Sequence, residues 1–140
     1  METRVPIVKI DEGRRLFGGW AYVAKDSQGN IVTDHSDDVI DTDEAWQSLE
    51  DALVTYALEI RKGDDQHQSF GAADLVELFI IDEHRRDALG IPDGVLPQRA
   101  AFVTFRAADS PAGDELWKAI RSGERRMLSI VGIGERKEIL

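Results

Sequence analysis

Apolar residues recur at helical spacing over residues 42–62, and this is the clearest pattern in the chain. The apolar positions lie three and four residues apart: Trp46, Leu49, Leu53, Tyr56 and Ile60. Such spacing forms one apolar face of a helix. Asp41 or Thr42 can cap its start, and Lys62 followed by Gly63 can end it. We therefore expect a helix that packs this face into the core.

Alternation of apolar and polar residues predicts strands over much of the remaining chain. The predicted strands are 5–10, 16–24, 30–33, 75–81, 99–107 and 127–131. Turn-forming residues at 25–30 predict a hairpin between the second and third strands, and the Gly18-Gly19 pair indicates a bulge or a barrel corner. Strand 99–107 is expected to be central, and shorter helices are expected at 82–89 and 114–121.

Length and composition limit the kinds of protein this chain can be. A chain of 140 residues is expected to form one domain, 1–140, that buries roughly 70% of its unfolded surface. It has no cysteine, which excludes disulfides, thiol nucleophiles and cysteine zinc sites. The absence of a long apolar run or a signal-like start predicts a soluble, intracellular protein with no membrane partner. The net charge of −10 opposes nucleic acid but is compatible with a basic protein substrate.

Three residues in this pattern are candidates for chemistry. Ser129 is the one hydroxyl in the apolar run 127–131, although a serine is also tolerated in a strand for local bonding. His67 lies in a polar stretch before strand 75–81, where a histidine is commonly just exposed. Glu77 is the one charge in that strand; it either orients a histidine or points into solvent.

Four blocks of sequence resemble the phage prohead (procapsid maturation) serine proteases, particularly the XkdF-like group. They are Leu16-Phe-Gly-Gly-Trp-Ala21, the acidic turn 34–41, the histidine block Gly63-Asp-Asp-Gln-His67 with Leu75-Val-Glu-Leu-Phe79, and the serine block 117–130. The resemblance covers most of the chain, and the serine block is its most specific part. This chain departs from the family at Asp37, where a glycine is usual. The resemblance therefore does not define the backbone shape of the acidic turn.

The resemblance implies an α+β fold related to the herpesvirus assembly proteases, a small mixed or antiparallel β-barrel flanked by helices. It also implies that Ser129 and His67 form a catalytic pair that cleaves scaffold and major capsid proteins. The protein would act in the bacterial host cytoplasm, within the assembling prohead. No cofactor is expected, and self-association is left open.

A serine nucleophile needs a base, because its hydroxyl pKa is too high for attack at neutral pH, and a neutral histidine can accept the proton. Backbone N–H groups near Val131 and Gly132 are candidates for an oxyanion hole. The family takes its third catalytic residue from a strand well downstream of the serine. That strand lies beyond the four matched blocks, so no third residue can be carried over. The carboxylates available for that role are Glu77, Glu135 and Asp38.

Two other functions remain as alternatives. The first is a capsid-assembly or scaffold-binding module that keeps the protease fold without activity. The second is a metal hydrolase that uses His35, His67, His84 and aspartates, but the sequence has no two-histidine helical spacing. The aspartate-rich turn 34–43 also lacks the glycine and the final glutamate of a calcium loop, so no metal site is expected.

Overall fold

The chain forms an α+β structure, seen in a computed structural model that describes residues 2–33, 39–63, 71–125 and 127–131. The described strands are β1 (Glu2–Pro6), β2 (Lys9–Asp11), β3 (Leu16–Lys25), β4 (Lys62–Gly63), β5 (Ala73–Ile81), β6 (Arg99–Ala107) and β7 (Met127–Val131). The described helices are α1 (Asp43–Thr55), which a π-helical turn (Tyr56–Ile60) continues, α2 (Glu83–Leu89) and α3 (Pro111–Arg121). Strands β1 and β7 are described by their backbone.

Five strands form one antiparallel sheet in the order β2-β3-β6-β5-β4. Strand β6 lies in the middle, as predicted, and pairs with β3 and β5 along nearly its whole length. It joins β3 and β5, which are far apart in the sequence, and so this strand organises the fold.

The strand register gives the sheet a core face. Val103 and Phe105 of β6 are fully buried and lie opposite Leu78 and Leu75 of β5. They belong to one cluster with the buried residues of α1 and α3. Each such side chain contributes about 1.5–3 kcal/mol when it is fully removed from water, so burial on this face stabilises the fold.

The other face of the sheet is only partly covered. Thr104 of β6 lies between Gly18 of β3 and Glu77 of β5. Next to this row, the rings of Trp20 and Phe102 meet edge to face, with centroids 5.1 Å apart. This outer face therefore combines aromatic and polar side chains beside the main core.

Helix α1 confirms the strongest sequence prediction. The Thr42 hydroxyl accepts a hydrogen bond from the Ala45 N–H at 3.0 Å, which identifies Thr42 as the N-cap. All the predicted apolar positions face the core; Ile60 is partly buried, and the others are buried: Trp46, Leu49, Leu53 and Tyr56. The last turn is π-helical and ends at Arg61 in the left-handed region, with φ of 56°.

The helices α2 and α3 also have clear caps. Asp82 caps α2 by accepting the Arg85 N–H at 2.8 Å, and Ser110 caps α3 by accepting the Gly113 N–H at 3.1 Å. Helix α3 begins at Pro111, earlier than the predicted start at 114, because proline is favourable in a first helical turn. Residues 110–114 therefore form the capped start of this helix.

Arg99 joins three elements at one end of the sheet. Its guanidinium donates to Glu83 Oε1 of α2 at 3.0 Å and to Asp43 Oδ1 of α1 at 2.8 Å. The hydrogen bond from Arg99 holds the pKa of Asp43 below its usual value. The sheet thereby fixes the start of α1.

The predicted barrel is not closed. The five-stranded sheet is open, and β1 pairs with β7 in a separate two-stranded antiparallel ribbon. In this ribbon β1 contacts β3, whereas β7 contacts β4. The two strands of the ribbon therefore approach opposite ends of the strand order β2-β3-β6-β5-β4. Because β4 has only two residues, it offers too short an edge for a continuous ladder in the described part of the chain.

Three local predictions also need correction. The predicted strand 5–10 is divided into β1, which ends at Pro6, and β2, which begins at Lys9. Residues 30–33 turn back antiparallel to the end of β3, as the predicted hairpin requires, and the Val32 N–H donates to the Ala24 carbonyl oxygen at 3.0 Å. They form isolated bridges, including Lys25 to Ile31, and not the predicted strand. The irregularities of β3 occur between Trp20 and Tyr22 and between Val23 and Lys25, not at the predicted Gly18-Gly19 pair. Gly18 serves close packing instead, because a Cβ there would collide with the Val103 carbonyl oxygen.

Candidate functional site

Ser129 lies in the middle of β7, as the sequence predicts. The strand pairs with β1 in a register that places Ser129 opposite Arg4 and Leu128 opposite Val5. Helix α3 leads into β7 through a turn in which Gly123 has φ of 79°. The serine is therefore carried on a paired strand that follows a helix and a glycine turn.

The neighbourhood of β7 connects it to the predicted histidine segment. Strand β7 contacts β4, and Gly63 of β4 is the last described residue before 64–70. His67 belongs to that range and lies outside the described residues. The contact between β7 and β4 is therefore the described feature that bears on the pair, and the proximity of Ser129 to His67 stays a prediction.

Glu77 is positioned by a neighbouring strand. It is exposed, and its Oε1 accepts a hydrogen bond from the Thr104 hydroxyl at 2.6 Å. Thr104 is only 4% exposed, because it lies between Glu77 and Gly18 in the central strand. A buried hydroxyl that donates to a carboxylate fixes the orientation of that carboxylate.

The described contacts do not connect Glu77 to the serine strand. Strand β4 pairs with Asp74 and Ala73, so Glu77 lies beyond the end of this pairing. The contact described for its carboxylate is the one from Thr104. Its role as an orienting group for His67 therefore stays a prediction.

Thr104 is a residue that sequence reasoning overlooked. A threonine in an apolar strand is unremarkable by itself, and its partnership with Glu77 depends on the register of β5 and β6. That register contains a shift between Leu75 and Glu77. The pattern of alternation gives no position for such a bulge, so the pairing could not be read from the sequence.

The remaining predicted site residues lie at the end of β7 or outside the described ranges. Val131 is the last residue of β7, opposite Glu2. Gly132, Glu135 and Asp38 are outside the described residues. The oxyanion and third-member assignments therefore stay predictions.

The described ranges contain no cluster of metal-binding side chains. No group of three or more histidine, aspartate or glutamate residues there is arranged to hold an ion. His84 is exposed on α2, and His35 and His67 lie outside those ranges. Within the same ranges, no helix is both long and apolar enough to cross a membrane.

No protein-family model, curated protein or solved structure matches this chain.

Proposed function

We propose that this protein is a serine endopeptidase of phage or prophage head maturation, with Ser129 as nucleophile and His67 as general base. One observation supports the pairing most directly. Strand β7, which contains Ser129, contacts β4, and the chain enters the range that contains His67 immediately after β4. The segment that contains His67 therefore begins next to a strand that contacts the serine strand, and this supports the proposed pair.

The proposed reaction begins when the His67 imidazole accepts the Ser129 hydroxyl proton. The oxygen then attacks the peptide carbonyl, and a tetrahedral oxyanion forms. When this intermediate collapses, the C–N bond breaks and the imidazolium returns its proton to the leaving amine. Water, activated by the same base, then hydrolyses the acyl-enzyme and regenerates the serine.

Supporting groups complete the proposal. Backbone N–H groups at Val131 and Gly132 would donate to the oxyanion, which is worth several kcal/mol in serine proteases, about 2.7–4 for one donor. Glu77 would orient the imidazole. The alternative is that the pair acts as a dyad, because the main described contacts of β7 are with β1 and β4 and not with β5, the strand of Glu77.

The β1–β7 ribbon supports a relationship to the herpesvirus assembly protease fold. Its strands contact β3 and β4, which are separated by β6 and β5 in the sheet order. A barrel would require the ribbon to bridge these two positions. The described contacts have this arrangement without a continuous ladder.

The proposed substrates are phage scaffold and major capsid proteins, cleaved inside the assembling prohead in the bacterial host cytoplasm. The net charge of −10 would attract basic segments of such substrates.

A scaffold-binding module without activity is the second candidate. It is favoured by the position of Glu77, whose described partner is Thr104 on β6. Among the described residues, Glu77 is the only carboxylate that was a candidate for the third catalytic residue.

Coexpression separates the two candidates. The protein is produced with the scaffold and capsid proteins of the same phage, and new protein termini are identified by mass spectrometry. We expect cleavage with the unmodified protein and with Ser48→Ala, an exposed serine on α1, but none with Ser129→Ala. Copurification without any new terminus would support the binding module, and cleavage that survives Ser129→Ala would refute the peptidase assignment.

A further inference from the structure

Strand β5 has one edge that is mostly unpaired in the described part of the chain. Its inner edge pairs with β6 from Ala73 to Ile81. On its outer edge, β4 pairs with only Ala73 and Asp74, and the Leu75 N–H donates to the Arg61 carbonyl at 2.8 Å. From Val76 onward, no described strand covers this edge.

The register of β4 leaves most of this edge uncovered by the described residues. Gly63 of β4 pairs with Ala73, the first residue of β5. The connection between β4 and β5 therefore departs from the opposite end of β5. An unpaired strand edge of this length is a template for an added strand.

The end of α1 forms a wall beside this edge. A groove of about 350 Å³ runs between them, lined by residues 75–80 of β5 and by Val54, Ala57, Leu58 and Arg61. Leu58 is 75% exposed and Val54 is 48% exposed. On the strand, Val76 is also exposed, so Val54, Leu58 and Val76 present apolar surface to solvent along the groove.

The groove has a cation at the end nearest Leu75. Arg61 donates to the carbonyl oxygens of Ala57 at 2.7 Å and Leu75 at 3.3 Å, and it forms no ion pair with a described carboxylate. The other lining arginine, Arg85, is different because it lies 2.8 Å from an Asp82 carboxylate oxygen. Arg61 therefore has the capacity to pair with an acidic group of a ligand.

We infer that this groove binds an extended peptide segment of another protein, which adds as a strand to the outer edge of β5. Its backbone would pair with β5 between Val76 and Ile81. An aliphatic side chain would contact Val54 and Leu58, and an aspartate or glutamate would pair with Arg61. This inference is independent of the proposed peptidase function, because neither Ser129 nor His67 takes part.

A peptide array tests the inference directly. The array carries peptides of about ten residues in which valine and threonine alternate, with aspartate or lysine placed at each position in turn. The probe protein is Ser129→Ala, so that cleavage cannot alter the signal. We expect the aspartate series to bind and the lysine series to bind about tenfold more weakly.

Two variants and one control locate the binding. Leu58→Asp should abolish the signal, whereas Leu89→Asp, a change at an exposed leucine on α2, should leave it unchanged. Arg61→Glu should shift the preference from the aspartate to the lysine series. N-methylation of alternate backbone nitrogens should block binding in one phase only, because alternate N–H groups face β5.

Three outcomes would overturn the inference. The first is that no peptide binds the Leu89→Asp control more strongly than it binds Leu58→Asp, with circular dichroism showing that both variants are folded. The second is an Arg61→Glu variant that keeps the aspartate preference. The third is a dimer, detected by sedimentation, that Leu58→Asp dissociates, because it would assign the groove to a second copy of the chain.

Discussion

Gly18 allows β3 to approach β6 closely, because a methyl group at this position would collide with the Val103 carbonyl oxygen. We predict that Gly18→Ala lowers the free energy of unfolding by about 1–3 kcal/mol, since the backbone of β6 must move. Gly13→Ala is the matched control, because its nearest atom is Asp11 Oδ1 at 3.6 Å. Urea denaturation measures both changes, and equal stabilities for the two variants would contradict the close approach.

Arg86 organises the loop 91–98 from beneath. It is 7% exposed, and its guanidinium donates to the carbonyl oxygens of four loop residues: Pro92, Val95, Leu96 and Pro97. Two prolines and a glycine in this loop are compatible either with a flap over a groove or with an ordinary connection. These contacts favour an ordered connection that is fixed to α2.

We predict that Arg86→Lys destabilises the protein by about 1.5–3 kcal/mol, because an ammonium cannot satisfy the same set of carbonyl oxygens as the planar guanidinium. Limited proteolysis should cut the loop 91–98 faster in this variant. Arg121→Lys is the control, since Arg121 is exposed. Unchanged stability and proteolysis of Arg86→Lys would show that the loop is held by other contacts.

At the scale of elements, helix α1 was predictable because helical spacing, a cap and a terminal glycine all indicated the same segment. Strand β6 was predictable in its bounds and its two faces for a similar reason, since alternation continues over all of 99–107. The prediction of a strand at 30–33 was wrong. Turn residues indicate that the chain reverses, but they do not define the number of residues that pair after the reversal. The π-helical turn at the end of α1 has no signal in the apolar spacing.

Trp46 tests the packing of α1. It is 5% exposed, and we predict that Trp46→Ala costs about 3–5 kcal/mol, through lost burial and the cavity left behind. Val54→Ala on the same helix should cost far less, because Val54 is 48% exposed. Chemical denaturation that gives less than about 1 kcal/mol for Trp46→Ala would mean that the wrong face of α1 has been assigned to the core.

At the scale of the whole molecule, the α+β class was predictable from the sequence, whereas the degree of closure was not. Closure depends on how far β4 extends, and a pair such as Lys62 and Gly63 has no pattern that defines a strand length. The hydrogen bond between Thr104 and Glu77 could not be predicted either, because it follows from a register shift between β5 and β6. Local sequence patterns thus predict helices and strands, whereas contacts such as that of Thr104 with Glu77 depend on how distant strands pair.

The protein as a whole is predicted to need no metal. The chain has no cysteine, and the described residues include no cluster that could hold an ion. EDTA should therefore leave the unfolding midpoint and any proteolysis unchanged. Activity that is lost in EDTA and restored by Zn²⁺ or Ca²⁺ would overturn the serine assignment.

The proposed catalytic pair is tested most directly by active-site labelling of the purified protein. A fluorophosphonate reacts with an activated serine, and mass spectrometry locates the adduct. We predict a slow adduct on Ser129, none in Ser129→Ala, and labelling reduced by several orders of magnitude in His67→Gln. His84→Gln, which changes an exposed histidine on α2, should label at the normal rate. Labelling that is equal in the His67→Gln and His84→Gln proteins, or an adduct on another serine, would contradict the proposed pair.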